Sequence, residues 1–276
     1  MSNFESNYDV DNKELHYQIK LDLWQTAFGL QKVDNLTPSQ YMVELATQNI
    51  QDKKTYDEVY NEITSYYSSG NANESTKEAD IVSLRIVELL ADNYFSLSPA
   101  TLKGIHRHLF SDVFPKEFMP GRFRTVNITK DEAVLGGDTV QYSSHFLIQD
   151  ALEYDFDKEK AIVYENLTSE ERIKRLTEFI ADIWQIHPFR EGNTRTIAVF
   201  AIKYLRQLGF DVDNSLFREH SQYFRDALVL HAYHKEKHDT EPLRAFFDKL
   251  LTDKEIELVD LRKLAKRNLE IDDLSR

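Results

Sequence analysis

Apolar side chains recur at intervals of three and four along most of this chain, the spacing of one face of an α-helix. The strongest run is Ile173, Leu176, Phe179, Ile180, Ile183 and Ile186, opened by Thr168 with Glu171 three positions on, a capping box. Pro188 cannot continue that helix and turns His187 away from α geometry, which ends it there. A second helix opens near Thr194 and runs through Ile197, Ala201, Tyr204 and Leu208 to a C-capping Gly209. Earlier, residues 13–30 carry Leu15, Ile19, Leu23 and Phe28 at amphipathic spacing, and Ser39 caps a helix through Leu45 and Ile50. Ser68 to Asn73 reads as a loop, after which Ile81, Leu84, Ile86, Leu89 and Leu90 resume a helix. Ser98-Pro99 supplies an N-cap with proline at the first helical position for Leu102, Ile105 and Leu109. Phe246, Phe247, Leu250 and Leu251 belong to a further helix, and the tail from Asp253 to Arg276 predicts a terminal one.

The period changes once. Thr125 to Ile128 and Thr139 to Tyr142 are short β-branched runs around Gly136-Gly137, which predict a β-hairpin. The expected fold class is therefore all-α, a helical bundle with one short β-hairpin. With 8 Gly and 6 Pro in 276 residues there is little material for tight turns, which favours long helices. A net charge of −13 argues against a nucleic-acid surface, although a local nucleotide site is compatible with it. The absence of cysteine excludes disulfides and thiolate metal sites. No leader peptide and no 18-residue apolar run is visible, so the expectation is a cytoplasmic protein with no membrane span; export by an uncleaved route would leave no mark.

The candidate chemistry lies between the two best-defined helices, in His187-Pro188-Phe189-Arg190-Glu191-Gly192-Asn193-Thr194-Arg195. Gly192 and Asn193 arrive at a helix N-terminus, where unpaired N–H groups and the positive dipole end favour an anion. His187 titrates near neutrality and can accept a hydroxyl proton. Glu191 is a hard oxygen ligand suited to Mg²⁺, which usually arrives with phosphates and needs few protein carboxylates. Arg195, in the first helical turn, can reach phosphate oxygens. Such a segment can also be a plain helical corner with a polar turn, but five role-matched groups at this spacing favour transfer of a phosphate-containing group to a hydroxyl.

These residues resemble the Fic family signature, H-x-F-x-(D/E)-G-N-G-R-x-x-R, with His187, Phe189, Glu191, Gly192, Asn193 and Arg195 in register. The resemblance implies a Fic-like bundle in which His187 is the base and Glu191 the Mg²⁺ ligand. Asn193 and the loop amides would hold the α-phosphate, Arg195 the distal phosphates, and Phe189 would anchor the loop. It further implies transfer of AMP from ATP to a Ser, Thr or Tyr hydroxyl of a target protein, held by the hairpin at about residues 125–142 acting as a flap. A helix around Tyr223 to Leu228 would close the nucleotide pocket. The resemblance spans roughly residues 79–250, which divides the chain into an N-terminal helical region (1–78), a catalytic domain (79–250) and a C-terminal helix (251–276).

Two positions depart from the signature. Thr194 replaces the usual second glycine and Ala198 the usual second arginine. Positive φ at Thr194 would cost about 1–3 kcal/mol; otherwise the residue simply starts the helix with its hydroxyl toward the phosphates. Family members are often restrained by an (S/T)-x-x-x-E-(G/N) helix. The nearest glutamate here, Glu74, lacks that pattern, and Ala198 cannot pair with it, so inhibition would come from another element or a separate inhibitor protein. The alternatives to AMP transfer are another phosphate-containing donor and a catalytically weak scaffold that binds a partner. Outside the motif, His231, His234 and His238 could gather a metal or form a solvated helix end. Arg122 and Arg124 could meet phosphates or lie on a solvated strand edge. His106 and His108 point to different faces of their helix.

Overall fold

A computed structural model describes residues 6–70, 73–233, 237–252 and 254–263. Ten helices follow one another among these residues: α1 (Ser6–Gln31), α2 (Gln40–Ile50), α3 (Tyr56–Ser68), α4 (Lys77–Ala91), α5 (Pro99–Phe110), α6 (Ile148–Lys160), α7 (Ser169–Ile186), α8 (Asn193–Gln207), α9 (Ser215–Tyr233) and α10 (Lys237–Leu251). None of them is long and apolar enough to cross a membrane.

Local hydrogen bonds set most of the ends. The Ser39 hydroxyl accepts the Met42 amide, Ser98 accepts that of Thr101, and complete capping boxes open α3 (Thr55, Glu58) and α7 (Thr168, Glu171). Gly209, at φ +84°, ends α8, and Phe210 N–H returns to Leu205 C=O at 3.1 Å in a Schellman arrangement.

α8 is the axis of the fold. Every residue from Asn193 to Leu205 is buried, and the helix packs against α1, α4, α5 and α7. Its polar side chains must therefore find partners. Lys203 donates to Leu89 C=O and Asp92 C=O and Arg206 donates to Leu90 C=O, which caps the open carbonyl end of α4. A continuous apolar core extends from Leu23 of α1 to Leu261. At Gly29 the backbones of α1 and α9 nearly touch: a Cβ there would lie 2.5 Å from Arg218 Cα, and Ser221 Oγ donates to Gly29 C=O.

Three expectations change. The apolar face of α1 meets the core only from Leu21 onward; Leu15 is 60% and Ile19 49% exposed. The segment 125–142 is not a β-hairpin, and no strand occurs among the described residues. One rung forms, Glu132 N–H to Asp138 C=O at 2.9 Å, around a 3₁₀ turn at Ala133–Leu135. At the next rung Lys130 N–H takes the Thr139 hydroxyl instead of a carbonyl, and Arg124 occupies the carbonyls of Val126 and Ser143, so the ladder stops. Residues 254–260 are irregular and a helical turn appears at 261–263, while the remainder of the predicted terminal helix lies outside the described residues.

Candidate functional site

α7 ends at His187, which takes a left-handed conformation (φ +50°, ψ +60°) with its N–H on Trp184 C=O. A side chain with a Cβ adopts this region at a cost, so something must hold it. Arg124 does: its Nε donates to His187 C=O at 2.8 Å, its Nη2 to Ile186 C=O, and its own amide to Pro188 C=O at 2.9 Å. Arg124 is thus a buried staple of the loop, neither a phosphate ligand nor a solvated edge residue, and Arg122 is exposed. The His187 ring stacks on Tyr142 at 4.1 Å and meets Trp184 edge-on at 5.2 Å. It is only 7% exposed, and Nδ1 has no hydrogen-bond partner. Burial, then the nearby charges of Lys130 and Arg124, push its pKa down to about 3, so the ring is neutral at physiological pH.

The turn that follows is braced from inside. Phe189 is fully buried, and the Asn193 amide bridges both its N–H and its C=O, each at 2.9 Å. Gly192, at φ +75°, is required twice over: the left-handed region favours glycine, and a Cβ would sit 2.5 Å from the Phe110 ring. As N-cap of α8 it has no side chain to satisfy the first amides, so those of Asn193, Thr194 and Arg195 have no carbonyl one turn back. Thr194 is helical and free of the positive-φ strain considered above; its hydroxyl accepts Trp184 Nε1–H at 3.1 Å.

A narrow crevice collects His187, Glu191, Asn193 and Thr194 with Asp34, Lys130, Glu132, Trp184 and Arg225. It adjoins a cavity of about 530 Å³ that shares Asp34, Lys130, Glu191 and Arg225 with it and is lined further by Glu78, Arg195 and Arg262 and by an apolar wall of Val113, Phe114, Pro115 and Phe118. That volume suits a nucleotide-sized ligand. The basic groups around it all face carboxylates. Lys130 lies 3.5 Å from Glu191, Arg225 2.6 Å from Glu132 and Arg262 2.7 Å from Asp226. Arg195 is pinned hardest: Nη2 meets Glu78 at 2.5 Å, Nε meets Asp34 at 2.8 Å, Nη1 donates to Gln31 at 2.9 Å, and the guanidinium lies over Phe110. Glu74, the glutamate weighed from sequence, pairs with Lys77 instead.

The structure thus brings His187, Glu191, Gly192, Asn193, Thr194 and Arg195 around one place, with the side chains of Asn193 and Arg195 engaged by protein partners. Sequence reasoning missed Asp34, Glu78, Lys130 and Glu132, which lie in no local pattern with the motif. It weighed His106 only for a site shared with His108, and reached Arg225 only as part of the helix at 223–228, which does bring Arg225 to the pocket. Of the histidine trio, His231 lines a separate hollow with Asp182 and Arg244, and the side chains of His234 and His238 lie outside the described residues. Among the described residues no group of three or more His, Asp or Glu could hold a metal by itself.

A model of the Fic/DOC family matches residues 96–205. Over 114 residues the chain is 30% identical to protein adenylyltransferase VbhT of Bartonella schoenbuchensis, a stretch that is 41% of this chain and 22% of VbhT, so it spans under a quarter of that relative. It is 27% identical over 155 residues to the probable protein adenylyltransferase y4lH of Sinorhizobium fredii, covering 52% of this chain and 69% of that one. Among solved structures, BepC of Bartonella tribocorum with bound AMPPNP superposes with a TM-score of 0.51 at 17% identity, covering 66% of this chain and 88% of that one. Residues 96–205, with the His187 loop and the head of α8 near their C-terminal end, are therefore a Fic/DOC family domain, and the chain has the all-helical Fic fold.

Proposed function

We propose that this chain transfers AMP from ATP to a Ser, Thr or Tyr hydroxyl of a target protein, releasing pyrophosphate. The observation that carries the reading is His187, a buried neutral imidazole whose Nδ1 is without a partner in the crevice that also holds Glu191 and the amide end of α8. In this reading His187 takes the proton of the target hydroxyl, the hydroxyl oxygen bonds to the α-phosphorus, and the bond to the β-phosphate breaks. The open amides of α8 receive the α-phosphate oxygens. An anion there offsets the positive charges of Lys130 and Arg225 and draws the His187 pKa upward, toward the range in which a base is effective.

Glu191 fits a magnesium ligand, being a half-buried carboxylate at the cavity edge that already faces a cation, the Lys130 ammonium at 3.5 Å. Bound there with the phosphates, Mg²⁺ would neutralise charge on the leaving pyrophosphate. The loop 125–142 is the natural place for the target segment, since Tyr142 covers His187 and Val126 is exposed nearby. The names of the two curated relatives and the AMPPNP in BepC support ATP as donor.

The test is incubation with labelled nucleotides and cell lysate, comparing the wild type with His187→Ala. General-base catalysis contributes about 10²–10⁴-fold, so labelling should fall by that much while ATP binding persists. Equal labelling by a folded His187→Ala variant refutes the assignment. A second reading, a scaffold with little transfer activity, draws on the engaged Arg195 and on Ala198; wild-type labelling no higher than that of His187→Ala favours it.

A further inference from the structure

His106 of α5 is fully buried beneath the candidate site and joins two segments that the reading above assigns different tasks. Its Nδ1 receives the Gly121 amide at 2.9 Å and its Nε2 lies 3.0 Å from Glu191 C=O, 85 residues away in sequence. An amide nitrogen can only donate and a carbonyl can only accept. The tautomer is therefore fixed: Nδ1 is the acceptor and Nε2–H donates to Glu191. The imidazole also stacks face-to-face on Phe189, with centroids 3.8 Å and planes 16° apart, and packs on Phe110, the ring that fills the place of a Cβ at Gly192. Three features of the turn, the Phe189 ring, the Glu191 carbonyl and the left-handed Gly192, thus rest on one histidine and on Phe110 one helical turn beyond it. On its other edge His106 holds Gly121, three residues before Arg124, whose guanidinium grips His187 C=O.

We propose that His106 is a positioning residue that fixes the placement of Glu191 relative to His187, through the Nε2–H bond to the Glu191 carbonyl on one edge and the Gly121 amide on the other. Stacking alone would let the turn slide across the imidazole face. The two hydrogen bonds, on opposite edges of one rigid ring, remove that freedom. The proposal rests on Glu191 serving Mg²⁺-nucleotide, as read above, and its consequence is a Glu191 carboxylate presented ready for the cation.

Two substitutions separate the edges of the ring. In His106→Gln the longer amide reaches the Nε2 position and keeps a donor for Glu191 C=O; in His106→Asn the shorter amide keeps only a partner for the Gly121 amide. ATP binding is measured by calorimetry across a Mg²⁺ titration and again in EDTA, with thermal melts to confirm folding. The expected result is near-wild-type Mg²⁺ dependence for His106→Gln, and for His106→Asn a rise of about tenfold in the Mg²⁺ needed for half-maximal tightening, with binding in EDTA unchanged. A merely structural role would shift the melts and leave the Mg²⁺ dependence of the folded protein alone. The same Mg²⁺ dependence in both variants and the wild type overturns the role of His106 and leaves the proposed function standing. A wild type whose ATP binding ignores Mg²⁺ overturns the Glu191 assignment and this inference with it.

Discussion

Arg195 cannot serve a phosphate and its present partners equally. The guanidinium is essentially inaccessible, and its Nη2 meets Glu78 at 2.5 Å while Nε approaches Asp34 at 2.8 Å without the alignment of a hydrogen bond. Glu78→Gln retains the shape but removes one of the two charges. Breaking a buried pair outright costs about 3–5 kcal/mol, but here Asp34 remains, Gln can still accept, and Glu78 is partly exposed, so about 1–2 kcal/mol of stability should be lost. For a chain of this size that is a fall of roughly 2–8 °C in melting temperature. The released guanidinium gains a charge-assisted contact to phosphate worth about 1.5–3 kcal/mol; allowing for residual bonding to Gln, ATP should bind about tenfold tighter. Calorimetry with ATP and AMP, on wild type, Glu78→Gln, Asp34→Asn and the double variant, measures this directly. Opposite movements, lower melting temperature and tighter ATP binding, with AMP changing less, would show that carboxylates and phosphates compete for Arg195. A lower melting temperature with unchanged or weaker ATP binding would refute the reasoning and leave Arg195 as a weld between α8, α4 and the end of α1.

Further outcomes follow from particular contacts. Gly192→Ala adds left-handed strain and a Cβ 2.5 Å from Phe110, together about 2–4 kcal/mol, so its urea midpoint should drop clearly with m unchanged; a wild-type midpoint would mean the loop relaxes freely. Burial holds His187 at about 3 and His106 at about 4, below the unfolded value near 6.5, so the unfolded chain binds protons that the folded chain refuses. Stability is therefore fully present above pH about 6.5 and falls on acidification by roughly 2–3 kcal/mol per pH unit between about 6 and 4, partly offset by Asp80, whose raised pKa acts oppositely. Urea melts at several pH values check it, and His106→Gln should reduce the slope by about half. Ala198→Arg places an arginine where the chain is fully buried, and should lower the melting temperature more than Glu78→Gln does, since an unpaired buried charge is costly.

What the sequence determined by itself is what hydrogen bonds within four or five residues can encode. The Ser39, Ser98 and Thr168 caps, the stop at Pro188 and the Gly209 terminus are complete in a few consecutive residues, and the structure has each of them. The Thr55–Glu58 box that opens α3 was equally local and was overlooked, whereas α6 carries so many charges that its apolar stripe is faint. The signature loop was legible for the same reason, since His187 to Arg195 are neighbours whatever the rest of the chain does. Partnership was not legible. Arg195 looks available in the motif, and only the docking of α4 and the end of α1 beside α8 brings Glu78 and Asp34 to it from 117 and more residues away. Leu15 and Ile19 have core spacing but stay largely exposed, and Arg124, which by sequence could meet phosphates or lie on a strand edge, is instead held by backbone carbonyls that only the fold assembles. The 125–142 runs have the composition of strands, yet a ladder needs free carbonyls and free amides on facing segments, and here Arg124 holds the carbonyls of Val126 and Ser143 while the Thr139 hydroxyl takes the Lys130 amide. Propensity and caps are sums over near neighbours. Which buried charge faces which, and which apolar face finds a partner, depends on the distances between whole helices, and those are set only when the core closes.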